Sequence, residues 1–472
     1  MTSAKSITRN FSIQLIGKIL SVLIGLACVA VITRALGAHA YGEYTTAITF
    51  LQMFGVVVDF GLTLTLIVMI SEHGADEEKI VGNFFGLRLV SGFLFFSLAP
   101  LTVLTLPWSQ TIDNAVLVGA FAYFLMGGAT MLIGVFQRHE SMWRAALAET
   151  LNRIFLLAFV CIAAYLSFGV VGMIVASVIA NAIWLFLMMR FARPFVRVVP
   201  RFETNEWLRI IARSWPIAIS IIFNLLYLKG DVLFLAYFRD QSEVGFYGMA
   251  YRIIDVMTAL PTMFMGLALP GLVAAWSAGN KIEFKMRVAR IFDLFAMAVV
   301  PVIVGTQLIA EDLTVLIAGQ EFARSGEVLR LLIFALVGVF TGTLFGHLVV
   351  AINRQKIMTW GYAAVAIISI AGYYLFIPRY GMWGAVWVTL TSEFLIGIIT
   401  FALVAVVSGV KPRAITTLKS ILAAAIMYFF ISQISHTNVV VELCAGALVY
   451  LLSLVALRAI TISQIKSIIP SK

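Results

Sequence analysis

The sequence predicts an all-α polytopic membrane protein of about 14 spans, built as two similar six-helix lobes followed by two further helices. Three observations lead there. Hydrophobic residues fill 62% of the 472 positions and charged residues only 12%, with a mean hydropathy of +1.02. No soluble domain can keep so much apolar surface from water, whereas a bilayer removes the need. The apolar residues also run continuously for 20 or more positions, about the length that crosses roughly 30 Å of hydrocarbon. The ten-residue alternation of a β-barrel is missing. Finally, the chain echoes itself. Ile32-Thr-Arg-Ala-Leu-Gly-Ala-His-Ala-Tyr-Gly-Glu-Tyr44 shares its layout with Leu235-Ala-Tyr-Phe-Arg-Asp-Gln-Ser-Glu-Val-Gly-Phe-Tyr247, so Gly42 falls on Gly245 and Tyr44 on Tyr247 at an offset of 203.

A second echo follows. Phe168-Gly-Val-Val-Gly-Met resembles Tyr380-Gly-Met-Trp-Gly-Ala, so Gly169 and Gly172 fall on Gly381 and Gly384 at an offset of 212, and Gln137-Arg138 pairs with Asn353-Arg354. Matches in order at nearly constant offset indicate a duplicated unit of roughly 200 residues. Two similar membrane halves around a midplane site are a common plan among secondary transporters.

Taken in order, the candidate spans are 11–33, 44–70, 83–106, 113–136, 143–167, 170–190, 214–238, 245–276, 287–309, 328–352, 356–377, 382–408, 415–434 and 438–460. Lys5 and Arg9 precede the first run, which has no signal-peptidase site and reads as an uncleaved span. Residues 34–43 read as a polar turn, with Arg34 and Glu43 solvated. Phe168-Gly169 leaves room only for a tight hairpin. The longest polar break separates the lobes. The expected organisation is therefore an N-terminal lobe over 1–190, a basic linker over 191–213, a C-terminal lobe over 214–408 and two added helices over 409–472.

Lys and Arg set the orientation. Apart from five at membrane depth, 23 fall toward the side of the N-terminus and 5 toward the other, so both termini are expected in the cytoplasm. The net charge of +10 therefore lies in short loops and does not call for nucleic acid. Cys28, Cys161 and Cys444 lie in apolar runs and imply neither disulfide nor metal site. Pro100, Pro216, Pro261, Pro270 and Pro301 lie within spans and allow bends. Pro261, the most central, is the candidate hinge.

Charges at membrane depth are the candidate functional residues, because each costs about 2.5–3.5 kcal/mol to insert and needs a wet cavity or a partner. The basic ones are Lys18, Arg88, Arg153, Lys229 and Arg252; the acidic ones include Asp59, Glu149, Asp231, Asp255, Asp293 and Glu393. Arg252 and Asp255, three apart, can neutralise each other, as can Glu149 and Arg153 at four apart. Arg88 and Asp293 lie toward span ends and can snorkel. Lys18 has no acid within a helical turn, and Lys229 and Asp231, two apart, point to different sides of their helix. The duplication puts both lysines on the first helix of a lobe, where they can line a central cavity. A cationic cavity in an apolar protein suits an anionic head group. Asp59, Asp231 and Glu393 are candidates for coupling to H+ or Na+. No Gly-x4-Gly-Lys-Ser/Thr loop is present, so ATP hydrolysis by that route is excluded. The five histidines lack metal-ligand spacing. No cofactor and no enzymatic activity are expected.

Arg9-Asn-Phe, Thr33-Arg-Ala-Leu-Gly, Tyr41-Gly-Glu-Tyr44 and Asp59-Phe-Gly-Leu62 resemble the opening of the polysaccharide biosynthesis (PST) family. Lys229-Gly-Asp231, Val244-Gly-Phe-Tyr247 and Gly381-Met-Trp-Gly-Ala385 extend the likeness over nearly the whole chain. These Wzx-type O-antigen and exopolysaccharide repeat flippases belong to the multidrug/oligosaccharidyl-lipid/polysaccharide superfamily. The resemblance implies a MATE-like V of two six-helix lobes plus two helices. It also implies flipping of undecaprenyl-diphosphate-linked sugar units across the bacterial inner membrane, with membrane lipids, a polymerase and other glycan assembly proteins as partners. Three other readings stay open at this point: a multidrug antiporter on the same fold, a lipid II flippase, and a non-transporting membrane scaffold.

Overall fold

The computed structural model describes residues 4–412, 414–434 and 438–459, and among these every regular element is a helix. The chain resolves into two compact units, Met1–Gly245 and Phe246–Lys472. The first holds α1 (Ala4–Asp59), α2 (Leu62–Ile70), α3 (Glu77–Val103), α4 (Gln110–Met131), α5 (Ile133–Arg138), α6 (Met142–Tyr165), α7 (Gly169–Ala192), α8 (Thr204–Phe238) and the first residues of α9 (Gln241–Ser277). The second holds the rest of α9, then α10 (Lys281–Ala318), α11 (Ala323–Leu332), α12 (Ala335–Ala351), α13 (Gln355–Tyr380), α14 (Met382–Ser408), α15 (Ile415–Ile434) and α16 (Val439–Ala456).

Twelve helical stretches among the described residues are long and apolar enough to cross a bilayer. The pair Gln320–Leu332 and Ala335–Ala351, bent by 51°, makes a thirteenth. One of the twelve, Leu20–Ile70, has 51 residues, roughly 75 Å of helix or more than twice the hydrocarbon thickness. It is interrupted at Gly37 (φ 72°, ψ 177°). Divided there it supplies two crossings, which accords with about 14. The large side chains left on the surface, such as Phe93, Trp360 and Phe429, are those of a multi-pass protein whose outer faces meet lipid.

The expected polar turn at 34–43 is a correction. Helix continues on both sides of the single non-helical Gly37, and Glu43, expected in solvent, is buried and accepts a hydrogen bond from Ser109 Oγ. The reason lies in what crosses it. An added Cβ on Gly42 would sit 1.8 Å from the carbonyl oxygen of Gln241, and one on Gly245 would sit 2.0 Å from that of Ala38. These are reciprocal positions of the duplication, since 38 and 42 shifted by 203 give 241 and 245. Two copies of one small-residue motif therefore cross backbone to backbone, the packing that membranes favour because lipid supplies no hydrophobic drive between helices. Thr46 Oγ1 donates to Gln241 Oε1 (2.8 Å) and Trp108 Nε1 to Ala236 O (3.0 Å), sealing the crossing.

The second echo also has a structural counterpart. Gly169 opens α7 at φ 63° and Gly381 opens α14 at φ 57°, each closing a tight hairpin after the preceding helix. Within the first unit α4 packs against α3 and α7, and α1 against α6 and α8. Within the second, α14 packs on α12 and α13, where Gly338 lies against the backbone of Glu393. The two last helices join α10 through Ala423, Met427, Ile431, Tyr450 and Leu454 against Met297, Val300 and Val304.

Between α7 and α8, residues 193–203 are not helical, yet they lie on α3 as a strap. Arg201 N donates to Gly82 O (2.9 Å), Glu203 N donates to Asn83 Oδ1 (3.1 Å), and the carbonyl of Arg201 occupies the place of a Gly86 side chain. Lys79 pairs with Glu203 (3.0 Å) and Glu206 (3.4 Å). The Lys79 ammonium, hydrogen-bonded to it, holds the Glu203 carboxyl below the usual carboxylate range.

Candidate intramembrane charge site

A helix break organises the charges of the first unit. Phe60 (φ 44°) and Gly61 (φ 72°) end α1 and start α2 in the middle of an apolar run. Left-handed backbone is cheap at glycine, which makes Asp59-Phe-Gly-Leu62 a local stop signal. Asp59, the last residue of α1, is thereby freed from a continuous helical face. Its Oδ1 accepts from Thr63 Oγ1 at 2.8 Å and from Arg88 Nη1 at 3.1 Å.

Arg88 is the twelfth of 27 residues in α3, about 16 Å along the helix from its start. It was expected to snorkel; instead it is only 7% exposed and its charge is met inside the protein by Asp59. Room for the guanidinium comes from α4, because a Cβ on Gly127 would lie 2.8 Å from both Nε and an Nη of Arg88. Desolvation alone would be ruinous for such a group, so the ion pair and the missing side chain act together. The sequence reading missed Thr63 and Gly127. Thr63 had a local signal, four residues after Asp59; Gly127 had none, because its partner is on another helix.

Arg153 has a different setting. It is the twelfth of 24 residues in α6, hence also near mid-span. It enters none of the ion pairs among the described residues, and its Nε is buried without an acceptor. The neighbouring Asn152, 6% exposed, has a buried Oδ1 without a donor. Neither atom has a partner among the described residues, a condition uncommon for buried polar groups in native structures.

The remaining candidates are dispersed. The side chain of Lys18 lies outside the described residues, as does that of Pro216. Lys229 is half-buried and Asp231 fully buried on α8, and neither lacks a partner. Asp231 Oδ1 accepts from Val232 N at 2.8 Å. In the second unit Arg252 and Asp255 approach to 4.0 Å with half-exposed side chains. Glu393 is 5% exposed on α14. Pro261 sits inside α9, which continues as helix through it and through Pro270. No group of three or more His, Cys, Asp or Glu that could hold a metal occurs among the described residues.

Comparison with known proteins gives a consistent set of relatives. Residues 7–275 match the family model described as polysaccharide biosynthesis protein. A Shigella dysenteriae protein named "Putative O-antigen transporter" is 21% identical over 380 residues, covering 77% of this chain and 91% of that protein. The succinoglycan biosynthesis transport protein ExoT of Rhizobium meliloti is also 21% identical, over 70% of this chain and 66% of its own length. Among solved structures, the lipid II flippase MurJ in an inward closed conformation superposes with a TM-score of 0.76 over 93% of this chain and 97% of its own, at 13% identity. An inward-facing multidrug resistance MATE family transporter of the MOP superfamily superposes with a TM-score of 0.65 over 82% and 94%, at 16% identity. Those likenesses establish a shared fold.

Proposed function

Because this chain belongs to the polysaccharide biosynthesis protein family, we propose that it is a transporter of polysaccharide precursors and performs no catalysis. The specific reading is a flippase. It carries undecaprenyl-diphosphate-linked oligosaccharide repeat units from the cytoplasmic to the periplasmic leaflet of the bacterial inner membrane, both termini lying in the cytoplasm. The names of the O-antigen and succinoglycan relatives support a glycan precursor as cargo.

The observation that carries the reading is Arg153. A guanidinium near mid-membrane with a buried, unmatched N–H suits a diphosphate, which accepts charge-assisted bonds from forked donors. By charge and membrane depth in the sequence alone, Lys18, Lys229 and Arg252 are proposed as further cationic contacts, while the lipid tail stays in hydrocarbon. Arg88 belongs to the same cationic set, with its charge balanced by Asp59 until cargo or a coupling ion competes. Asp59, Asp231 and Glu393 are the proposed places for H+ or Na+, and Pro261 the proposed hinge of alternating access.

The test is accumulation of lipid-linked oligosaccharide in cells lacking the protein, complemented with wild type, Arg153→Ala, Lys18→Ala or Lys229→Ala. Loss of a hydrogen bond between charged groups costs about 1.5–3 kcal/mol, so Arg153→Ala should slow clearance roughly 10- to 100-fold at equal protein level. Equal clearance by wild type and Arg153→Ala would remove that residue from the site. No accumulation in cells without the protein or any second flippase would remove the transport reading itself.

A further inference from the structure

The end of α7 and the strap that follows it carry Arg190-Phe-Ala-Arg-Pro-Phe-Val-Arg-Val-Val-Pro-Arg-Phe202, arginines interleaved with apolar side chains. The strap's backbone is tied to α3 at Gly82, Asn83 and Gly86, so its exposed groups stand in fixed places. The arginines of this region differ in their surroundings, and Arg201 adds to the Lys79 ammonium in lowering the pKa of Glu203. Arg209 and Arg213 are engaged internally with Glu72, and Arg209 also with Glu206. Arg190, Arg193 and Arg197 are exposed and enter none of the ion pairs among the described residues. The two acids of the stretch, Glu203 and Glu206, are already matched by Lys79.

The same stretch of chain also exposes apolar side chains that water would not favour. Val199 is 60% exposed, Phe202 61% and Leu208 62%, and Trp215 is half-exposed two turns further along α8. The segment begins where the span of α7 ends and stops before the apolar window Ile221–Phe238 of α8, which places it at the membrane–water boundary. Apolar groups with a tryptophan, in one stretch with unmatched arginines at that depth, match the chemistry of acyl chains beneath anionic headgroups.

We propose that the strap is a binding surface for anionic phospholipid, with Arg190, Arg193 and Arg197 on headgroup phosphates and Val199, Phe202 and Leu208 in the acyl boundary. This holds whatever cargo the protein carries. Each cation near an anionic surface contributes about fivefold in affinity, and three together on the order of a hundredfold.

The full chain, purified in neutral detergent, is titrated with phosphatidylglycerol or phosphatidylcholine, and bound lipid is counted by native mass spectrometry. Wild type should retain phosphatidylglycerol selectively. R190Q/R193Q/R197Q should lose on the order of a hundredfold in that affinity, the triple Lys variant should keep most of it, and K281Q/R354Q/K356Q should bind as wild type. Equal binding by the strap variant and wild type overturns the proposal, and so does an equal loss in the control triple. Should the Gln variant fail to fold, a photoreactive phosphatidylglycerol on wild type decides. Labelling within 190–215 supports the surface, and labelling confined to other segments rejects it.

Discussion

Removing the carboxylate from Asp59 should expose what the broken helix is for. Asp59→Ala leaves Arg88 7% exposed, about 16 Å along α3 from its start and with no acid to meet it. Breaking a buried pair by deleting one partner costs about 3–5 kcal/mol. The 30% exposure of the Asp59 side chain argues for the lower end, because water can partly replace the lost oxygen. Replacing both partners by apolar residues of similar size, Asp59→Leu with Arg88→Met, should recover most of the loss, since neither charge then needs desolvation. A double-mutant cycle read by unfolding of the purified protein in mixed micelles should give a coupling of at least 1.5 kcal/mol, the scale seen for residues sharing one charge network. Additive effects within about 0.5 kcal/mol would refute the argument, because independent sites behave that way. Stability, not transport, is the readout, so the outcome does not depend on the cargo.

Two further outcomes follow from the geometry. Gly42→Val and Gly245→Val each drive a side chain into an opposing carbonyl; each should cost at least 2–3 kcal/mol by overpacking. The double variant should lose less than the sum, as measured by thermal midpoint and membrane protein level, because one displacement of the crossing relieves both clashes. Asp240, outside the spans, has its carboxyl held below the usual range by the Ser242 hydroxyl and amide, with His39 adding to this. A lowered folded pKa contributes stability above the unfolded value near 4 that disappears as pH falls through the folded one. Melting curves of wild type and Asp240→Asn should therefore stay separated above pH 5 and draw together as pH falls below 4 toward the lowered folded pKa. A constant interval down to pH 3 would contradict the assignment.

Membrane class, helical content, the approximate number of crossings and the hairpin at Gly169 were all legible along the chain. Each depends on local quantities: the length of an apolar run or a glycine at a turn. Hydrocarbon forces every backbone group into a helix of sufficient length, so the span pattern survives translation into structure nearly unchanged. Partnership was not legible. Arg88 and Asp59 were each noted as charges at membrane depth, but their contact joins residues 29 apart on different helices and needs a cavity at Gly127. Gly42 and Gly245 were seen to correspond; that they touch, with Glu43 buried beside them, is a property of how two helices cross. The stretch 191–213 read as a basic linker because its composition is polar, whereas backbone bonds to Gly82 and Asn83 hold its middle against α3. Sequence alone determined which segments enter the bilayer, since transfer free energy is summed residue by residue. Only the tertiary structure decided which charges at membrane depth are matched, as Arg88 is by Asp59, because that balance is settled between helices distant in the chain.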